Sequence, residues 1–103
     1  MLTKLTTNQN NTLTFTIHFS SGGTDTNITG ATVLVTVYNG DTVVQTATVT
    51  SHTTPLEGLT TVSFTKEQTS TWAATLLGYE VQLTLSAGGR YTDNGLIEVI
   101  KDR

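Results

Sequence analysis

The sequence predicts an all-β domain: an antiparallel β-sandwich of about seven strands, with one short helical turn near 65–72 where the chain crosses between sheets. Three observations predict it. Apolar and polar residues alternate over TLTFTIHFS (12–20), ATVLVTVY (31–38) and YEVQLTL (79–85), the period of a strand with one buried face. Turn formers (Gly, Asn, Asp, Ser and the single Pro55) recur between these runs at spacings of roughly ten residues. Between Phe64 and Tyr79 the period changes once. There Thr65 and Gln68 stand at capping-box spacing, so the Thr hydroxyl takes the Gln68 N–H and the Gln side chain reaches back.

The elements follow in order. Residues 1–10 are polar and form a short edge strand near Leu2–Leu5 or an arm. In 12–20, Leu13, Phe15, Ile17 and Phe19 face the core and Thr12, Thr14, Thr16 and His18 face out. SGGTDTNITG (21–30) has no period and reads as a loop anchored by Ile28. The next strand turns Val33, Val35 and Val37 inward and leaves Leu34 on the opposite face. Asn39-Gly40 then joins two alternating runs. This dipeptide signals a type I′ hairpin turn, which needs positive φ at both central residues.

In the second arm of that hairpin Val43, Gln45, Ala47 and Val49 share one face, and Val44, Thr46, Thr48 and Thr50 the other. SHTTPLEG (51–58) is a loop, and LTTVSFT (59–65) a strand with Val62 and Phe64 inward. After the capped turn, Trp72 tucks inward. A strand begins at Tyr79 with Val81, Leu83 and Leu85 on its face and Glu80, Gln82 and Thr84 opposite. Residues 87–90 turn the chain into the last strand, 91–100. A bulge interrupts that strand at Asp93-Asn94-Gly95, with Ile97 and Val99 inward and Leu96 and Ile100 outward. A Tyr opening the strand after a sheet crossing is the position of the tyrosine corner of immunoglobulin-like folds. There the hydroxyl bonds back to upstream backbone.

A chain of 103 residues buries roughly two thirds of its unfolded surface and can fold without staples. It contains no cysteine, which excludes disulfides, Cys-based zinc sites and thiol catalysis. Charged residues are only 13% of the chain, and the five cations Lys4, Lys66, Arg90, Lys101 and Arg103 form no cluster. Phosphate neutralisation needs a basic patch, so no nucleic-acid partner is expected. No apolar run is long enough for a membrane span, and the N-terminus lacks the pattern of a signal peptide. Threonine is the commonest residue. That content fits β-propensity on outward strand faces. It also fits an uncharged surface meant to pack against other subunits.

Chemistry-bearing patterns are absent from the sequence. His18 lies on a polar strand face and His52 in a loop, neither at a ligand spacing from another donor. There is no GxSxG elbow and no phosphate-binding glycine motif. The carboxylates are scattered. Asp25-Thr26-Asn27 resembles a fragment of a calcium loop without its remaining ligands. No enzyme, metal, cofactor or small-molecule substrate is therefore expected. The aromatics Tyr38, Trp72, Tyr79 and Tyr91 fall on different elements. They read as core or interface residues, with a sugar-stacking platform as the other use of such rings.

The segments GATVLVTVYNGDTVV, TVSFT, KEQTSTW, GYEVQLTLSAGGR and GLIEV together resemble a small immunoglobulin-like module of bacteriophage and prophage structural proteins. They are similar to the N-terminal domain of phage baseplate upper proteins and to related tail and fibre modules. The resemblance runs through Leu5-Thr6 and the strand from Leu13, then 28–33, 64–69, 78–83, Gly89-Arg90 and 95–99. Between Trp72 and Gly78 this chain carries AATLL, longer than the family's approach. The family module usually heads a longer protein, whereas here it makes up the whole sequence. That widens the expected role to a capsid decoration protein, a tail-tube accessory or an adaptor.

The resemblance implies a non-enzymatic virion structural protein, assembled in the host bacterial cytoplasm. Its partners would be other virion proteins and copies of itself. Leu34, Val44, Leu96 and Ile100 are the candidate apolar contacts outside the core, and Tyr79, Trp72, Thr65, Gln68, Asn39 and Gly40 the structural residues. The alternative is a glycan-binding or host-adhesion module that uses Trp72.

Overall fold

The computed structural model describes residues 2–101. Met1, Asp102 and Arg103, the last of them counted above among the scattered cations, lie outside the described residues. Among the described residues the chain is all-β apart from one helical turn and one 3-10 turn. In order come β1 (Leu5–Asn8), β2 (Leu13–His18), β3 (Ser20–Ser21), β4 (Thr24–Asp25), β5 (Thr32–Asn39) and β6 (Thr42–Val49). The 3-10 turn Pro55–Glu57 leads to β7 (Leu59–Phe64). Then come α1 (Lys66–Thr69), β8 (Leu76–Thr84) and β9 (Arg90–Ile100). Seven of these strands have four residues or more, as the turn spacing predicts.

Five strands form one sheet in the order β1-β9-β8-β5-β6, and β2 pairs with β7 in a second. Both sheets feed one apolar core. Leu13 and Ile17 of β2 and Val62 and Phe64 of β7 meet Val33, Val35, Val37, Leu77, Val81, Leu83 and Ile97 of the larger sheet. The alternation expected for β2, β5, β7 and β8 is the alternation observed. Ile28, the expected loop anchor, is fully buried.

The crossing between sheets is built as the capping box predicts. The Thr65 hydroxyl accepts from the Gln68 N–H at 3.2 Å, and Gln68 Oε1 accepts from the Thr65 N–H at 2.8 Å. The box tightens one helical turn, which delivers Trp72 into the core at 1% exposure. Its ring stands edge-on to Phe64 at 5.3 Å, and Phe15 of β2 stands edge-on to Tyr79 of β8 at 5.8 Å. These contacts pin the small sheet to the large one. His52 ties them again. Its Nε2–H donates to the Ala31 carbonyl at 2.7 Å, at the entry to β5. Its Nδ1 is then left to accept from the buried Thr60 hydroxyl of β7 at 2.9 Å. The loop histidine is thus a strap between sheets, not a solvated side chain.

Several expectations are corrected. The large sheet is mixed, because β1 runs parallel to β9, Leu5 against Ile97 through Asn8 against Ile100. The first residues are not a loose arm: as the alternative expectation held, they form a short edge strand, which lies at Leu5–Asn8 and runs parallel to β9. Leu2 N–H donates to the Asn94 carbonyl and Tyr79 O–H to the Thr3 carbonyl at 2.6 Å. The Tyr79 hydroxyl does bond upstream backbone. Its partner, however, lies at the far end of the chain and not a few residues away as in a tyrosine corner. Burial, and secondarily the charge of Asp93, pushes its pKa above the ordinary phenol range.

Residues 21–30 are not all loop: β3 and β4 pair around Gly22-Gly23. β8 begins at Leu76, three residues before Tyr79, and so adds Leu77 to the core. The hairpin turn falls one residue later than Asn39-Gly40 implies. Asn39 pairs with Thr42, so Gly40 and Asp41 are the central residues, and of these only Gly40 has positive φ, 61°. That is the type II′ arrangement, with glycine first. No bulge interrupts β9, whose register with β8 is unbroken from Arg90 to Glu98. Gly95 is there for another reason. It lies opposite Tyr79, and a Cβ on it would come 2.8 Å from the tyrosine ring.

A bulge does occur in β6. The register slips between Val37 opposite Gln45 and Tyr38 opposite Val43, so Val44 is the extra residue. An inserted residue reverses which side chains face in. Val44 therefore packs against the core, and Val43 stands outside it at 54% exposure. This overturns the placement of Val44 as an outward contact.

Candidate protein-binding face

The outward side of the five-stranded sheet carries the exposed apolar residues that matter. Strand register places its side chains in cross-strand rows. One row runs Leu96, Gly78, Tyr38, Val43 across β9, β8, β5 and β6. Next to it Leu76 pairs with Glu98 and stands diagonal to Leu96 and Ile100. Leu76 is 52% exposed, Ile100 46% and Leu96 39%. Gly78 has no side chain, so the row dips. The result is a shallow hollow of about 330 Å³ lined by Tyr38, Gly40, Gly78, Glu80 and Leu96, among others. Lys4 and Glu98, 3.4 Å apart, flank the patch toward β1.

The rows on the other side are polar: Asn94, Glu80, Thr36, Thr46, and then Thr92, Gln82, Leu34, Thr48. Of the four contacts predicted from sequence, Leu96 and Ile100 come together here. Leu34 does face out but is half-buried, separated from the patch by a full polar row. Val44 is partly buried and packs against the core. Sequence reading missed Val43, Tyr38 and Leu76 as members. The signal for Leu76 was present, since Leu76 and Leu77 precede the alternation of β8. Val43 could not be found without knowing of the bulge.

Trp72 cannot serve as a sugar-stacking platform, because it is buried. His18 Nε2–H donates to Asp25 Oδ1 at 2.7 Å, an exposed pair that joins β2 to β4. Among the described residues no group of three His, Cys, Asp or Glu could hold a metal ion. No described helix is long and apolar enough to cross a membrane. No family model, curated protein or solved structure matches the chain.

Proposed function

We propose that the protein is a non-enzymatic assembly module of the bacteriophage virion, a tail, baseplate or capsid-surface component that works through protein–protein contacts. The observation that carries this reading is the patch of exposed Val43, Leu76, Leu96 and Ile100 around half-buried Tyr38 on an otherwise threonine-rich sheet face. Exposed apolar side chains that cluster, rimmed by polar ones, favour a contact surface over bare solvent. The facing sheets β9-β8-β5-β6 and β2-β7 support an immunoglobulin-like sandwich in which the β9–β8–β5 order corresponds to the G, F and C strands. The partners are copies of the chain and other virion proteins. Symmetry multiplies such contacts, so a modest patch suffices to hold a ring or lattice.

The test is light scattering behind size exclusion over a wide concentration range. The wild type is expected to form a discrete oligomer. Leu76→Asp and Leu96→Asp are expected to return it to monomer without unfolding. Thr14→Asp, on the outer face of the other sheet, leaves the oligomer intact. A wild type that stays monomeric at every concentration ends the self-assembly part of the reading.

A further inference from the structure

A second surface, separate from the assembly face, has its own chemistry. A groove of about 380 Å³ opens between the sheets, on the side where β2 lies over β8 and β9. Ile17, Phe19, Val81 and Leu83 line its apolar interior, with Leu2 and Tyr91 also at its wall. Residues 17–21 all line it. Side chains of a strand alternate between faces, so five consecutive lining residues mean that the chain presents its backbone edge to the groove.

That edge is open. Among the described residues β2 is paired on one side only, with β7. Phe19 directs its N–H to the Gly58 carbonyl and its C=O to the Thr26 N–H, both on the covered side. In an antiparallel ladder successive residues point their backbone groups to opposite sides. Thr16 and His18 therefore point theirs to the uncovered side, His18 at the groove itself and Thr16 just beyond its lining. On the facing wall the arm covers β9 only as far as Asn94, whose carbonyl accepts from Leu2 N–H. Arg90 and Thr92 lie beyond that cover.

We infer that this groove binds an extended polypeptide strand from a partner protein, added edge-on to β2. The bound strand hydrogen-bonds the backbone of Thr16 and His18, and every second side chain enters the apolar interior. A strand edge beside an apolar floor matches this ligand, because a peptide in β conformation supplies both a backbone ladder and apolar side chains at period two. A second copy of the chain fits the groove poorly. Its other open edges, β2 and β7, already bury one row of side chains in that copy's own core, and β6 is interrupted by the Val44 bulge, which breaks the regular ladder that edge pairing requires. Its arm is already held on β9 through Leu2, Thr3 and the β1 pairing. Asp93 lines the groove and Asp25 stands beside His18 at its rim, so lysines at the ends of the bound strand complement the site.

The experiment is an NMR titration of the full, isotope-labelled chain with acetyl-Lys-Thr-Val-Thr-Val-Thr-Val-Lys-amide. Shift changes are expected at residues 16–21 and 90–93, with slowed hydrogen exchange at the Thr16 and His18 amides. A peptide of the same composition with its valines in one block is expected to bind about tenfold more weakly, because only alternation fills the floor. Thr16→Pro removes one edge N–H that β7 does not use and is expected to weaken binding by about fivefold to tenfold. Should Thr16→Pro fail to fold, Tyr91→Ala, at an exposed wall residue, is expected to weaken binding severalfold.

No shift at about 1 mM peptide, the reach of weak recognition, overturns the inference. So do shifts centred on Gly78 and Leu96, equal binding by the blocked peptide, or undiminished binding by folded Thr16→Pro. Concentration-dependent shifts at residues 16–21 in the protein alone also overturn it, because they name a second copy as the occupant. Shifts centred on Gly78 and Leu96 would put the peptide on the assembly face instead; whether that face assembles is tested separately by light scattering.

Discussion

The two outward sheet faces of this protein are made of much the same residues and end differently. On the β2–β7 side the exposed positions are Thr14, Thr16, His18, Thr61 and Ser63. Their hydroxyls pair with one another across the strands, Thr14 with Ser63 at 3.0 Å, and Thr61 with Thr53 of the preceding loop at 2.8 Å. The one large apolar side chain on that face among the described residues, Leu59 at the start of β7, is half-buried. On the five-stranded side the threonines frame a gap at Gly78, and around it stand Tyr38, Val43, Leu76, Leu96 and Ile100. Threonine content alone therefore had two meanings in one chain. On the small sheet it is a solvated face suited to β backbone. On the large one it is the rim of an apolar patch.

The sheets also differ in what holds them. The large sheet carries ladders through five strands, broken only by the bulge at Val44 among the described residues. A two-stranded sheet is marginal alone, and β2–β7 depends on what lies beneath it. The largest expected effect comes from removing that support. Trp72→Ala empties the site between Phe64 and the larger sheet and should cost about 3–5 kcal/mol. That is a large part of a small domain's stability, so denaturant titration should find the variant mostly unfolded or near its midpoint. The indole Nε1–H has no hydrogen-bond partner among the described residues. The loss would then come from packing, not from a lost bond.

The next effect sharpens the contrast between inner and outer faces at one strand. Val44→Thr places a hydroxyl against the core and should cost about 1 kcal/mol or more. Val43→Thr, one residue away and exposed, should stay within about 0.5 kcal/mol. Equal costs in thermal or denaturant unfolding would contradict the bulge. The order reversed would restore the register that alternation alone suggests.

The smallest effect concerns the arm that closes the large sheet. Tyr79→Phe removes the bond to the Thr3 carbonyl and should cost on the order of 1 kcal/mol or less, since Thr3 itself is exposed and can turn to water. The variant carries a second signature. The hydroxyl's pKa is raised in the folded state, so the protonated form is the native one. Its contribution is complete below the unfolded value of 10.0 and is lost as pH rises through the raised folded value. Wild-type stability should fall with pH above 10, and this component of the fall should be missing in Tyr79→Phe.

The sequence by itself determined what local physics controls. Alternation placed Leu13, Phe15, Ile17, Val33, Val35, Val37, Val62, Phe64, Val81 and Leu83 on core faces, because side chains in a strand point alternately and only one face is buried. The spacing of Thr65 and Gln68 determined the capped turn and, with it, the burial of Trp72, because a capping box needs only two residues three apart in the chain. Two of the patch residues, Leu96 and Ile100, were legible as apolar side chains on the wrong face of a strand.

Tertiary structure decided the rest. The bulge at Val44 arises where β6 must match β5, and a ladder between strands leaves no local signature. The parallel placement of β1 depends on β9, ninety-two residues further along the chain. Gly95 is required by a ring that belongs to another strand, so from sequence it looked like a bulge. His52 became a strap because the ends of two strands in different sheets came within reach of one imidazole. The open edge of β2 is likewise invisible to a pattern of residues. It exists because the smaller sheet stops at two strands while the larger one runs on to five, and hydrogen-bonding partners, unlike periodicity, are settled only when the sheets assemble.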